Sequence, residues 1–270
     1  MIKKFADKTP ILFSFVTTIV ILIVLAAAQF GFAALFGVDM TNSIYDNIQD
    51  INFLTASILA KIIFSALVMR ILVALKMSSV NNPFQKGFFK GLGLGWFIML
   101  GIILNFALNF DFSKAGPIEK SKWLLLIPMF IEALLAGVSE ELLCRGILYN
   151  VINNKYKNVH AAVLLSSAVF GAGHFVGLVS ASFTETVLSV LFAFGGGVLA
   201  AAIYARCKTV WAGVLLHGLN NFAVYAAVTL AFAENVDKKT NLMITVVQSV
   251  VSICIGLFLI RKKKMAEIAD

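Results

Sequence analysis

Apolar residues run through this chain in long blocks separated by short polar breaks. Eight blocks stand out, at about 11–37, 51–75, 88–110, 123–150, 160–181, 184–206, 209–232 and 241–260. Each holds roughly the 20 residues that a helix needs to cross a hydrocarbon core of about 30 Å. An outer-membrane strand would instead alternate in polarity over about ten residues, and these blocks are continuously apolar. The pattern predicts an all-α, polytopic membrane protein of about eight transmembrane helices. The breaks are too short to hold a separate domain, so residues 1–270 read as one membrane domain.

Composition sharpens that reading. The 270 residues are 60% hydrophobic and 13% charged, against roughly a quarter charged in a soluble domain, which excludes a soluble or disordered protein. Cys144, Cys207 and Cys254 lie far apart without a CxxC pair, so packing is their expected role. The net charge of +8 reports topology before it reports an anionic partner, and nucleic-acid binding is not expected.

Cytoplasmic loops hold the Lys/Arg excess of a membrane protein. With the N-terminus inside, Lys3, Lys4, Lys8, Arg70, Lys76, Lys86, Lys90, Arg145, Lys155, Lys157, Arg206, Lys208 and Arg261 to Lys264 fall on the cytoplasmic side. Lys114, Lys120, Lys122, Lys238 and Lys239 fall outside, and Lys61 lies within the second block. Asp39, Asp46, Asp50, Asp111, Glu119, Glu185, Glu234 and Asp237 lean outward. The prediction is a multi-pass protein of the cell (plasma) membrane with both termini cytoplasmic. Residues 1–29, with early lysines and Ala26-Ala27-Ala28, are similar to a cleaved signal peptide. The apolar run from Ile11 exceeds the 7–15 residues of such a segment, so it is expected to remain as the first span.

Ionisable groups within spans are costly and are functional-site candidates with a partner to be found. The fourth block carries Glu140, Glu141 and Arg145. Glu141 and Arg145, four apart, share a helical face and can pair. Glu140 points about 100° away, toward a different neighbour, and has no in-helix cation. One catalytic and one structural carboxylate is the functional reading; a capped or solvated helix end is the alternative. His160 lies at a polar break, whereas His174 and His217 are embedded in apolar sequence. Gly171 and Gly173 beside His174 permit close approach of a backbone or a substrate. His217 and Asn221 share one face, and can form a packing bond or a pair of oxyanion donors. Counted at 1.5 Å per residue, these groups reach similar depths of about 14–21 Å from the cytoplasmic ends of their blocks. A carboxylate, two imidazoles and an amide at one level suit water-dependent hydrolysis.

The ordered set Glu140-Glu141-x-x-x-Arg145, Phe170-x-x-x-His174 and His217-x-x-x-Asn221 resembles the CPBP family of intramembrane proteases. That family includes prenyl-CAAX endopeptidases and bacteriocin-processing or immunity proteins. The motif-bearing core runs from about 123 to 230. The resemblance implies helices around a conical intramembrane cavity, a water activated by Glu140 with His174, an oxyanion held by His217 and Asn221, and a site braced by Glu141 and Arg145. It leaves open whether a metal takes part: Glu140, His174 and His217 could form a three-ligand zinc site, or act metal-free, the version favoured here. The compact HExxH helix is absent. Membrane lipid and a membrane-associated peptide are the implied partners. A prenylated C-terminus, a leader peptide and a membrane-protein segment are all open as substrates.

Two readings from other classes stay open. Buried Glu, His and Asn also build proton-coupled transporters, although no inverted repeat is visible and Gly195-Gly196-Gly197 serves helix packing as readily as an unwound binding segment. A non-catalytic scaffold or immunity protein is the other. Lys61 is expected to snorkel or line a groove, Glu132 to pair with a neighbouring helix or assist Glu140, and Asn105 and Asn109 to bond between helices. Trp96, Trp123 and Trp211 read as interfacial anchors, and Arg261 to Lys264 as a topology anchor.

Overall fold

Inside a bilayer no water is available to backbone N–H and C=O groups, so apolar blocks of this length have to pair those groups internally as helices. The computed structural model describes residues 2–42, 44–77, 87–114, 119–179, 181–231 and 238–261. Its helices are α1 (Ile2–Lys8), α2 (Pro10–Leu35), α3 (Ile44–Asn47), α4 (Ile51–Ala74), α5 (Gly87–Leu94) and α6 (Trp96–Asn109), followed by α7 (Lys120–Glu141), α8 (Asn150–Tyr156), α9 (Val159–Gly173), α10 (Phe183–Cys207), α11 (Trp211–Ala231) and α12 (Lys238–Leu259). Tighter 3₁₀ turns cover Phe112–Lys114 and His174–Val179. No strand occurs among the described residues.

Among the described residues seven helical segments are long and apolar enough to cross a membrane, and the α5–α6 pair makes an eighth if counted as one broken span. The predicted block at 88–110 is therefore not one straight helix: its halves meet at 56°. Close packing on α11 accounts for the break. A Cβ on Gly91 would lie 2.7 Å from Cβ of Ala212, and one on Gly95 2.3 Å from Cδ1 of Leu216. Trp96 consequently sits at the bend rather than at a span end, while Trp123 stands in the first turn of α7, half exposed.

The predicted block at 123–150 is longer than the sequence pattern implied. α7 and α8 form one continuous 37-residue helix, Lys120–Tyr156, joined through Leu142–Tyr149. That stretch is wound as a π-helix, and all eight of its residues are buried. Half of the apolar window of α10 and of α11 is buried, against about a third or less for the other spans. These two helices are the inner ones, and the others turn more of their surface to lipid. α10 lies against α9 and α12, α7 against α11 and α4, and α2 against α4 and α9. The core is filled by Leu142, Ile147, Leu148 and Tyr149 of the π-helical stretch with Val198, Leu199, Ile203 and Tyr204 of α10. Cys144 and Cys207 are buried, as packing predicts, but Cys254 is exposed.

Helix polarity and charge agree. α4, α8 and α10 end at one side, where Lys76, Lys157 and Lys208 adopt left-handed backbone with φ of 57°, 49° and 58°. Such a residue ends a helix by closing over its free carbonyls, and its positive charge favours the negative end of the helix dipole. At the opposite side α4 and α10 start beside acids: Asp50 accepts from the Asn52 amide at 2.9 Å, and Ser182 with Glu185 forms a reciprocal cap on α10. Arg145 must leave the topology count, because it is buried within the bundle. Lys86, Glu234, Asp237 and Lys262 to Lys264 lie outside the described residues, as do the side chains of Lys114, Lys238 and Lys239.

Candidate active site

Three glycines bring α7 and α11 together. A Cβ on Gly137 would stand 2.6 Å from the Val214 carbonyl, one on Gly218 3.0 Å from Cα of Leu134, and one on Gly213 2.8 Å from Oε2 of Glu141. With no side chain between them, the helices let functional groups meet directly. Glu141 pairs with Arg145, Oε1 to Nη1, at 3.0 Å, and both side chains are 2% exposed. Arg145 donates through Nη2 to the Gly197 carbonyl of α10 at 3.1 Å and stacks its guanidinium 5.1 Å from the Phe170 ring centre. One buried cation thus ties α7 to α9 and α10.

His217 stands between the two glutamates. Its Nδ1 lies 3.3 Å from Oε1 of Glu141, and its Nε2 lies 3.7 Å from Oε2 of Glu140. The expectation that Glu140 faces a different neighbour is corrected here. Adjacent helix positions diverge, but an imidazole has nitrogens on two edges and reaches both carboxylates from the facing helix. The 3.7 Å approach is too long for a hydrogen bond and is an ion pair only when His217 bears both ring hydrogens. Glu140 is 29% exposed at its side chain, far more open than Glu141.

His174 occupies the end of α9, where the helix tightens into the 3₁₀ turn. Its Nδ1 lies 3.1 Å from the Phe170 carbonyl. A carbonyl only accepts, so Nδ1 carries the hydrogen and Nε2 of the neutral ring is left as an acceptor. Phe170 separates the two histidines, edge-on to His174 at 5.0 Å and to His217 at 6.1 Å between ring centres. Gly171 does allow a close approach, of α10: an added Cβ would meet Cβ of Phe194 and the Val190 carbonyl at 3.1 Å.

These groups border a cavity of about 280 Å³, whose walls include Glu141, Arg145, His174, His217, Asn220 and Asn221. His217 and Asn221 thus share the helical face predicted for them. Glu140 is not on that wall and meets it through His217. Asn220, not singled out from sequence, accepts from Asn105 Nδ2 of α6 at 2.8 Å. Asn109 bonds within its own helix, to the Asn105 carbonyl. Lys61 and Glu132 pair with each other, with Ser57 donating to Glu132 at 2.9 Å and accepting from Lys61 at 2.9 Å. Lys61 therefore does not snorkel.

A zinc ion held by Glu140, His174 and His217 would need all three donor atoms at about 2.0–2.2 Å from one point. Among the described residues no three His, Cys, Asp or Glu side chains are grouped to hold a metal. Both nitrogens of His217 already face carboxylates. The residues as arranged do not fit that ligand set.

No curated protein and no solved structure matches the chain. A family model does: residues 122–223 match the Rce1-like type II CAAX prenyl endopeptidases. The matched segment holds Glu140, Glu141, Arg145, His174, His217 and Asn221, in line with the resemblance seen in the motifs.

Proposed function

We propose that this protein is an intramembrane endopeptidase in which Glu140 is the general base and His217 with Asn221 holds the oxyanion. The observation that carries the proposal is the position of His217, in contact with Glu141 and Glu140 and at the wall of a cavity. Arg145, Glu141, His217 and Glu140 form a row of alternating charge when His217 bears both ring hydrogens. Its Nε2–H is then a donor set beside the base.

Hydrolysis proceeds as follows. A water oxygen attacks the scissile carbonyl carbon while Glu140 takes its proton, and the acceptor Nε2 of His174 orients that water. The carbonyl oxygen becomes an oxyanion that accepts from His217 Nε2–H and the Asn221 amide. Collapse of the tetrahedral intermediate breaks the C–N bond, and Glu140 returns the proton to the leaving amine. Glu141 and Arg145 position His217 and α10 without touching the substrate.

The membrane setting supports, as substrate, a peptide segment that reaches the site from the bilayer: a prenylated C-terminus, a leader or a membrane-protein segment. The same proposal places both termini in the cytoplasm of a cell whose plasma membrane holds the protein, in keeping with Lys76, Lys157 and Lys208 on one side.

Cleavage of quenched fluorescent membrane peptides by the purified protein in nanodiscs tests this. Glu140→Gln is expected to lower kcat by ~10²–10⁴-fold, the usual contribution of a general base, with an unchanged elution profile. Wild-type cleavage is expected to survive exhaustive chelation. Loss on chelation with recovery on adding zinc would replace the metal-free mechanism, and unaltered cleavage by Glu140→Gln would refute the assignment.

A further inference from the structure

Three consecutive glycines in α10 face three different surroundings. A Cβ on Gly195 would lie 2.7 Å from the Ser249 backbone of α12, and one on Gly197 3.2 Å from Phe170 and Ser167 of α9. Helix packing explains both. Among the described residues a Cβ on Gly196 would meet nothing within 4 Å, and Gly196 lines the cavity. At this position the missing side chain leaves open space rather than a helix contact.

Beside that space lies an amide nitrogen without a partner among the described residues. Gln248 of α12 is 7% exposed and borders the same cavity, and its Nε2 has no hydrogen-bond partner among the described residues. A Cβ on Gly101 of α6 would approach that nitrogen no closer than 3.7 Å. A buried donor left unpaired is costly, and its presence at a cavity wall is accounted for by an acceptor that arrives with a ligand. Phe97 and Phe192 supply apolar wall, and Ser252, one turn beyond Gln248, adds a hydroxyl. Gln248, Ser252, Gly101 and Phe97 all lie outside the segment 122–223 that matches the family.

We infer that this arm of the cavity, between α6, α10 and α12, is the subsite that selects the substrate. An apolar side chain of an extended peptide occupies the space over Gly196, while Gln248 Nε2 donates to a peptide oxygen nearby. That oxygen is a main-chain carbonyl or a terminal carboxylate, two acceptors of the same kind. The inference rests on the protease reading for the identity of the ligand, but binding is measurable without catalysis.

The test uses full-length Glu140→Gln protein in nanodiscs and a biotinylated apolar decapeptide carrying benzoylphenylalanine, made as free acid and as C-terminal amide. Photolabelling is expected on α6, α10 or α12, and Gly196→Leu is expected to cut it by ~10-fold, at the lower edge of what one crowded apolar contact discriminates. Gln248→Leu should weaken labelling severalfold, for both peptides if the acceptor is a main-chain carbonyl and for the free acid alone if it is the carboxylate. If Gly196→Leu does not elute as a single species, Gly196→Ala carries the same prediction with a smaller effect. In otherwise wild-type protein, Gly196→Leu should raise KM for peptides with a large residue at one position and spare those with a small one. Labelling elsewhere, labelling indifferent to both substitutions, or a KM that Gly196→Leu raises equally for peptides with large and small residues would overturn the inference. Labelling in this arm with no cleavage by the wild type would retain the binding site and reject the protease.

Discussion

Helix α7 carries two buried acid–base clusters built from similar parts. At Glu132, Lys61 and Ser57 of α4 converge on the carboxylate; at Glu141, Arg145 and His217 do. Both glutamates are at most 3% exposed. The surroundings differ. The Glu132 cluster joins two helices and contributes nothing to the wall of the cavity, whereas the Glu141 cluster reaches α9, α10 and α11 and lines it. Glu141 also has a second carboxylate beside it that shares His217. Burial and pairing of charge are therefore marks of a brace as much as of a site, consistent with how little a buried ion pair by itself implies. What separates the two clusters is access to space and a histidine shared by two acids.

That contrast can be broken experimentally. The largest effect is expected from Glu141→Gln, which leaves Arg145 buried without its anion and His217 without its anchor. Removing one partner of such a pair costs about 3–5 kcal/mol, to be read as a lowered thermal midpoint in nanodiscs together with loss of cleavage. Lys61→Met alone should also destabilise, by about 3 kcal/mol, because Glu132 then loses its cation. Combining Lys61→Met with Glu132→Leu should return stability to within about 1 kcal/mol of wild type, since a fully apolar replacement removes both desolvation costs. A double variant still as unstable as the single one would contradict the view of this pair as an exchangeable brace. Gly213→Ala sharpens the comparison at the smallest scale. Its methyl group would press on Glu141 Oε2 from 2.8 Å, and kcat is expected to fall ~10-fold, less than the ~10²-fold that a full 1 Å misplacement can cost, with the thermal midpoint lowered by only a few degrees.

Much of the fold was legible because the bilayer leaves an apolar block few alternatives to a helix. The break between α5 and α6 was not, since it depends on what Gly91 and Gly95 meet on α11, Ala212 and Leu216. The π-helical winding after Glu141 was equally hidden: Leu142–Tyr149 reads as ordinary buried helix, and nothing in its residue types announces a wider turn. The Glu141–Arg145 pair and the shared face of His217 and Asn221 could be read from spacing alone, because both are local to one helix. The shared partner of Glu140 and Glu141 could not, since it sits 76 residues beyond Glu141 on another helix. Gln248 was within reach. It is a lone amide in the apolar run Thr245-Val246-Val247-Gln248-Ser249-Val250, and the criterion that singled out Lys61 and Asn105 applies to it equally. Arg145 reads as a cytoplasmic charge in the sequence because its contacts with Gly197 and Phe170 come from segments remote in sequence.

The central claim is that hydrolysis belongs to the Glu140–His217 cluster and not to the other buried acid on the same helix. It is tested most directly by following cleavage of one membrane peptide by wild type, Glu140→Gln and the Lys61→Met/Glu132→Leu double variant, side by side in nanodiscs. The account predicts that Glu140→Gln retains its fold and loses cleavage by ~10²-fold or more, while the double variant cleaves within about twofold of wild type, as expected for a brace replaced by packing. Cleavage that persists in Glu140→Gln, or that disappears in a stably folded double variant, would contradict it.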